Sequence, residues 1–421
     1  MHARGRVNAL SDDGLGILET GGRRIYVPFS YPGDEVGVRR TKRRFGRLLA
    51  EDFEILEPSP LRGRPKCPHF GTCGGCLWQG LKYKEQLRFK AELFEGITGI
   101  EAEIEGSPQI WDFRNVSNFI VTTSRIGLKG YGSPSGVVNL SECPVFSKRT
   151  PEYLRALRDF LSEMGLKPWN LKRKAGDVHY LQVREGKFTG EVMVNLIAHV
   201  NPPDEILEAF QDYFSFVDSL YWSLKGDERD DPRGEPELLD GEPFIRERIG
   251  DVTYLIHPNS FFQTNSYALE LLLRAVEGLT DGEKVLDLYS GVGTFGVWLA
   301  KRGFTVAGVE LNPFAVEMAR ENAEINGVNV KFSVGRVEET PLGDYDTVIA
   351  DPPRKGLRET AESLVKSSVE QVIYVSCNPK AFQLDYKNYL KRAYRIEDTR
   401  LVDMFPHTPH VEAVVKLVRK N

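Results

Sequence analysis

From Glu283 onward the chain alternates strictly between short apolar strands and helices, and few folds accommodate that rhythm. "KVLDLYS" reads as a strand, "TFGVWLAKRG" as a helix closed by Gly303, "TVAGVEL" as a strand and "PFAVEMARENAEING" as a helix opened by Pro313 and ended by Gly327. "VKFSV", "YDTVIA" and "QVIYVS" supply further strands, with a helix near 358–368 between the last two. The pattern predicts a doubly wound, mostly parallel, Rossmann-like sheet whose ligand lies at the carboxyl ends of the strands. "YRIEDTRLVDMF" and "VEAVVKLVRK" are expected to form a closing hairpin.

Those strand ends carry the chemistry. Asp287 opens "DLYSGVGTFG", in which Gly291, Gly293 and Gly296 form G-x-G-x-x-G, and Glu310 ends the next strand nineteen residues after Gly291. Glycines let the backbone approach a ligand, and an acid ending the second strand accepts hydrogen bonds from a ribose diol. The glycine motif alone fits NAD equally well. Asp287, four residues ahead of the first glycine, opposes a pyrophosphate but suits the ammonium and sulfonium of S-adenosylmethionine. Asp351-Pro352-Pro353-Arg354 ends the fourth strand, where two prolines make a rigid shelf of the kind found in methyltransferases acting on planar bases. Arg354 replaces the aromatic residue usual in enzymes that methylate amino groups, which argues against an exocyclic nitrogen as target and makes Arg354 a candidate substrate-binding residue.

Cys377 ends the fifth strand in "VSCNPKAF". Carbon 5 of uracil attacks a methyl sulfonium only after a thiolate has added to carbon 6, so such chemistry needs a cysteine beside the donor. The carbon-5 proton must then leave to a general base, for which Glu412 in "HTPHVEAVVKL" is the candidate.

At 421 residues the chain exceeds one ordinary core. Composition and turns predict a barrel at 1–56, a mixed α+β domain at 57–250 and the α/β domain at 251–421, with 58–65 as a linker and the acidic stretch 226–242 as an exposed loop. In the first segment short strands are punctuated by Asp13-Gly14, Gly21-Gly22 and Pro32-Gly33. Through "LSDDGLGI" and "VPFSYPGDEV" it resembles a TRAM domain, an OB-like RNA-binding barrel. The net charge is -5, yet residues 1–90 hold 17 Lys and Arg against 10 Asp and Glu. The basic run Arg39 to Arg47, with Phe45 inside it, suits a strand that meets phosphates and stacks a base. No apolar run is long enough to span a bilayer and no signal-peptide core opens the chain, which points to the cytoplasm.

Four further cysteines, Cys67, Cys73, Cys76 and Cys143, follow a C-x5-C-x2-C pattern plus one. In a cytoplasmic protein such a set means a metal site more readily than disulfides. Zinc is the default by frequency. Unpaired spacing and two cysteines before proline, Cys67 and Cys143, point instead to iron-sulfur.

Together "SFFQTN", "DLYSGVGTFG", "DPPRKGL", "VSCNPKAF" and "PHTPHVEAV" resemble the RNA uracil-5-methyltransferase family. The resemblance implies that Gln263, Tyr289, Gly291, Gly293, Glu310 and Asp351 hold S-adenosylmethionine, that Cys377 is the nucleophile and Glu412 the base, and that Phe262 borders the flipped uracil. It also implies a [4Fe-4S] cluster on Cys67, Cys73, Cys76 and Cys143. Structured RNA is the expected partner, without DNA, membrane or an obligate protein. Uridine 54 of the transfer-RNA T-loop is the favoured target and a 23S ribosomal-RNA uridine the alternative. An RNA-binding iron-sulfur protein without catalysis is the competing reading, against which the intact Cys377, Glu412 and glycine loop speak.

Overall fold

In the computed structural model, which describes residues 3–44, 46–133 and 136–420, the N-terminal turns close a barrel. Its strands are β1 (Ala3–Leu10), β2 (Gly16–Thr20), β3 (Arg23–Val27), β4 (Glu35–Arg44) and β5 (Arg47–Glu57). They run in the order β1-β2-β3-β5-β4, with β4 returning to β1, the connectivity of an OB-type barrel. Alternation puts Val7, Leu18, Ile25, Val27, Val36 and Val38 inside. Beyond Val38 the strand turns Arg39, Arg40, Lys42 and Arg43 outward. Three of them pair with Glu51, Asp52 and Glu54 on β5, which leaves solvated contacts of small energy that a phosphate can displace. Phe45 lies outside the described residues.

Next come α1 (Tyr83–Thr98), β6 (Ile104–Glu105), β7 (Val116–Val121), β8 (Ile126–Lys129), β9 (Val137–Asn139), α2 (Thr150–Met164), β10 (Val178–Glu185), β11 (Val192–Ala198), α3 (Asp204–Tyr213), β12 (Ser219–Leu224) and β13 (Glu235–Gly241). Seven strands form one sheet in the order β13-β12-β11-β10-β7-β8-β9. The apolar sides of α2 and α3 (Leu154, Leu157, Phe160, Phe210) share a core with its Leu181, Val183, Val194 and Leu196. Two sequence expectations change here. The acidic stretch 226–242 is not all loop, because its second half is the edge strand β13, whose pairing with β12 satisfies the backbone while its charges stay in water. The segment 57–250 does not pack as one unit either, since Phe94 of α1 enters the core of the α/β region and β6 pairs with that region's sheet.

The rest comprises the hairpin β14 (Ile245–Ile249) and β15 (Val252–Ile256), then α4 (Ser266–Leu279), β16 (Lys284–Leu288), α5 (Thr294–Lys301), β17 (Thr305–Glu310), α6 (Pro313–Ile325), β18 (Val330–Val334), β19 (Thr347–Ala350), α7 (Glu359–Lys366), β20 (Gln371–Ser376), α8 (Pro379–Asn388), β21 (Tyr394–Val402) and β22 (Glu412–Arg419). The sheet order is β18-β17-β16-β19-β20-β22-β21-β6, parallel from β18 through β20, with β22 inserted antiparallel against β20. The helix starts are local chemistry. Asn265 caps α4 by accepting from the Ala268 amide at 3.0 Å, and Asn312 caps α6 ahead of Pro313. Trp298, fully buried on α5, anchors the face where α4 and α5 meet the sheet.

Candidate active site

The parallel sheet brings the ends of β16, β17, β19 and β20 to one edge, and with them Asp287, Glu310, Asp351 and Cys377. Glu412 arrives from the opposite direction. In the β20–β22 ladder Ser376 stands opposite Ala413, so the next positions outward are Cys377 and Glu412. An antiparallel strand thus sets a buried carboxyl beside a cysteine 35 positions earlier in the chain. Asn378 donates to the Arg354 carbonyl at 2.9 Å and ties the cysteine turn to the proline shelf.

The loop after β16 is held by its own acids. Glu310 accepts from the Gly291 amide at 3.2 Å and from the Asn312 amide at 2.9 Å. Asp287 accepts from the Gly296 amide at 3.0 Å through one oxygen. Its other oxygen and the Ser290 hydroxyl are buried without a partner among the described residues. Buried acceptors in that condition mark where a cationic, hydrogen-bonding ligand fits. Gly291, at φ 52°, faces open space, whereas a Cβ on Gly293 would stand 2.8 Å from the Phe332 ring. Tyr289 adopts a left-handed φ of 62°, strain held in place by its hydroxyl, which bonds Thr360 at 2.8 Å.

"SFFQTN" approaches from the other side. Gln263 donates to Asp351 at 3.3 Å, while Asn115 bonds the Gln263 carbonyl at 2.8 Å. Arg184, fully buried on β10, donates to the carbonyls of Pro258 at 3.1 Å and Ser260 at 2.6 Å. The two phenylalanines differ in exposure. Phe262, expected at the uracil, is 2% exposed and packs its ring 5.5 Å from that of Tyr254, whereas Phe261 is 68% exposed and is the ring at the surface. The loop is neither helix nor strand, so consecutive residues follow no period that would have told them apart.

Electrostatically the cluster is crowded with acid. Burial pushes the Asp287 carboxyl up to about 8, helped by Asp351 and Glu310. It pushes Asp351 up to about 7. Burial and then Asp351 hold Glu412 well above the carboxylate range, with Arg354 opposing. The Cys377 thiol is pushed to about 11 by burial and by Glu412, again against Arg354. Sequence reasoning gave no role to Asn115, Arg184, Asn378 or His410. His410 lies inside the quoted "PHTPHVEAV", exposed and with its ring centre 6.1 Å from that of Phe405.

The four remaining cysteines line a single pocket together with Gln79 and Arg114. Gln79 accepts from the Cys67 amide at 3.2 Å. Burial pushes the thiols up, Cys76 to about 12 and Cys143 to about 11, so without a bound cation they are neutral. Among the described residues no three His, Cys, Asp or Glu side chains close around a position for a single metal ion.

The barrel reaches the same region. Trp78 donates its indole to the Gly14 carbonyl at 2.9 Å, and its amide to the carbonyl of His407, in the segment leading to Glu412. A Cβ on Gly14 would stand 2.8 Å from Pro409.

Comparison with known proteins gives three family matches: the TRAM domain of tRNA (uracil(54)-C(5))-methyltransferase over residues 3–61, a methyltransferase small domain over 256–373, and tRNA (uracil-5-)-methyltransferase over 329–420. A 23S rRNA (uracil(747)-C(5))-methyltransferase of Pyrococcus horikoshii is 60% identical over 420 residues, covering 100% of each chain. A tRNA (uracil(54)-C(5))-methyltransferase of Pyrococcus abyssi is 46% identical over 417 residues, 99% of this chain and 100% of that one. The crystal structure of Pyrococcus abyssi tRNA (uracil-54, C5)-methyltransferase with S-adenosyl-L-homocysteine superposes with a TM-score of 0.89 at 45% identity, covering 99% of this chain and 100% of the other.

Proposed function

Because the chain belongs to the RNA uracil-5-methyltransferase family, its reaction is methylation of a uridine at carbon 5, and we propose that this uridine lies in 23S ribosomal RNA. One observation carries the choice of RNA. Over practically the same length, identity is 60% to the ribosomal-RNA enzyme and 46% to the transfer-RNA enzyme. The weight therefore moves from the T-loop uridine favoured by the sequence to the ribosomal alternative.

S-adenosylmethionine supplies an electrophilic methyl group when bound. Asp287, with its unpartnered oxygen, Glu310, Gln263, Asp351 and the Gly291 turn are the residues that would hold it, and the buried acids suit its positive charge. Cys377 adds to carbon 6 of the uracil and so activates carbon 5. The Glu412 carboxylate disfavours the Cys377 thiolate, and burial disfavours charge on both. Once sulfur is bonded to carbon its charge is gone, so Glu412 can release its own proton to solvent; after carbon 5 has taken the methyl group, the carboxylate accepts the carbon-5 proton, and the electron pair of that C–H bond re-forms the ring double bond and expels the sulfur from carbon 6. Its protonation in turn makes room for the departing thiolate. Arg354, exposed at the mouth, stabilises whichever anion is present.

The same reading places a [4Fe-4S] cluster on Cys67, Cys73, Cys76 and Cys143. All four cysteines line one pocket, which gathers the four thiolate donors such a cluster takes. Bound there it would pin the 67–76 loop to residue 143, and methyl transfer does not pass through it. Protein purified without oxygen should be brown and carry about four irons and four sulfides per chain; one zinc and no colour would overturn this assignment.

Labelled S-adenosylmethionine with unmodified 23S fragments and transfer-RNA transcripts tests the target, with mass spectrometry of the product. 5-Methyluridine in the ribosomal fragment is expected. Label confined to the T-loop would reverse the choice of RNA, and label in neither would favour the RNA-binding protein without catalysis.

A further inference from the structure

We propose that a second cavity, between the barrel and the central sheet, binds one unpaired nucleotide of the RNA at a position other than the methylated uridine. This rests on the RNA-substrate reading above. The cavity has a volume of about 650 Å³ and is open to solvent. That lies within the roughly 300–1,000 Å³ typical of small-ligand pockets and is too small for a duplex.

Its lining matches one ligand class. Arg44 from β4, Arg114 ahead of β7 and Lys129 from β8 contribute positive charge, Tyr131 and Tyr180 contribute aromatic rings, and no Asp or Glu among the described residues lines it. Cations for a phosphate beside rings for a base are the combination that holds single-stranded nucleotides. Asn118 accepts from Gln182 at 3.0 Å through its oxygen, which leaves its amide hydrogens as donors toward a base edge. Arg114 makes no side-chain hydrogen bond or ion pair among the described residues, although it is partly buried. A guanidinium in that setting is a donor fork ready for phosphate or a base edge.

The walls are also fixed beforehand. Asp230, an exposed residue outside the lining, accepts from Lys129 at 2.7 Å and from the Tyr180 hydroxyl, and so orients both. The Gly74 amide bonds the Lys129 carbonyl at 3.0 Å, and the Tyr131 amide bonds the Thr72 carbonyl at 2.9 Å. The barrel is fastened to the same turn, with Phe29 against Tyr131 at 5.1 Å between ring centres and Arg44 donating to the Gly132 carbonyl. Such preorganisation lowers the cost of ordering a nucleotide. Arg114, Gly75 and Leu128 line both this cavity and the cysteine pocket, so the cysteine loop forms part of the wall.

The test uses full-length protein, with RNA affinity measured by filter binding on the fragment that is methylated. Lys129→Ala with Arg44→Ala changes two side chains that are 50% and 32% exposed, and circular dichroism and melting temperature that match wild type establish that the variant is folded before binding is compared. The double variant should bind about tenfold more weakly, with a log–log salt slope shallower by about two. Abasic replacement of each unpaired nucleotide outside the target should reveal one position whose loss costs wild type about tenfold but costs a Tyr180→Ala variant little. Wild-type affinity in the double variant, or abasic costs that match in both proteins at every position, overturns the nucleotide pocket. That would leave the functional reading intact if wild type still binds and methylates the fragment. A wild type that binds no RNA overturns both.

Discussion

Two side chains at the sheet edge make opposite demands on charge. Cys377 must become an anion to attack, yet burial and Glu412 keep its thiol near 11, so the enzyme stores the nucleophile in neutral form. Cys377→Ala should lower turnover at least about 10³-fold while leaving S-adenosylhomocysteine binding within about twofold, by calorimetry and single-turnover assay; a variant that still methylates refutes covalent catalysis. Asp287 is the reverse case. Its carboxyl titrates near 8 in the folded, ligand-free chain against about 4 when unfolded, so folding takes up a proton. That contribution to stability is complete below pH about 4 and is lost as pH rises through about 8. Asp287→Asn does not titrate there, so its melting temperature relative to wild type should climb between pH about 5 and about 8.5; a flat or falling difference would contradict the buried, unpartnered carboxyl. Both residues were legible in the sequence because their motifs sit at strand ends, where the fold puts ligands. That Phe262 is buried and Phe261 exposed was not, since burial in an irregular loop depends on what packs against it.

The elements show how distant segments position the base. Lys90 on α1 is fully buried, ion-paired with Asp403 and bonded to the Phe405 carbonyl at 2.9 Å, while Tyr83 donates to Asp403 at 2.8 Å. One turn along, Gln86 accepts from the His407 amide at 2.8 Å, and His407 contacts the Ile110 carbonyl at 2.9 Å through its ring. Helix α1 thus holds the stretch between β21 and Glu412 by polar contacts that water cannot reach. Lys90→Met would strand a buried carboxylate and should cost about 3–5 kcal/mol in denaturant unfolding. Lys90→Met with Asp403→Leu should recover part of that loss. If the single variant costs under about 1 kcal/mol, the pair is not the anchor described. The type and order of elements in the α/β region could be read from periodicity. That α1 and β6 belong to that region could not, because the pairing of Ile104 with Leu401 leaves no local signal.

At the scale of the molecule, charge is segregated. A net charge of -5 conceals a basic N-terminal portion, residues 1–90; the barrel itself is nearly balanced, with 10 Lys and Arg against 9 Asp and Glu over residues 3–57, but β4 gathers cations on one strand whose ion pairs are exposed. Arg43 has no ion pair among the described residues. Arg43→Ala should weaken binding to all RNA sequences alike and flatten the salt dependence by about one in log–log slope, measured from about 0.05 to 0.3 M salt. An unchanged slope would remove this strand from the RNA footprint. The barrel and the basic run of β4 were readable from turns and composition. Its docking through Trp78 onto the segment before Glu412 was not, because that depends on the path of a connection between domains.

The pairing of β6 with β21 also bears on how the chain is made. A ribosome adds roughly 5–20 residues per second, so about 300 residues of further synthesis separate Ile104 from its partner Leu401 by some 15–60 s. Throughout that interval Phe94 on α1 has no core to enter, and the sheet that will receive it does not yet exist. The barrel and the seven-stranded sheet can mature early, whereas the methyl-transferring half closes only after its final strands emerge. Nascent chains therefore carry an unpaired edge at β6 and the uncovered apolar side of α1 for most of elongation, which exposes truncated chains to aggregation.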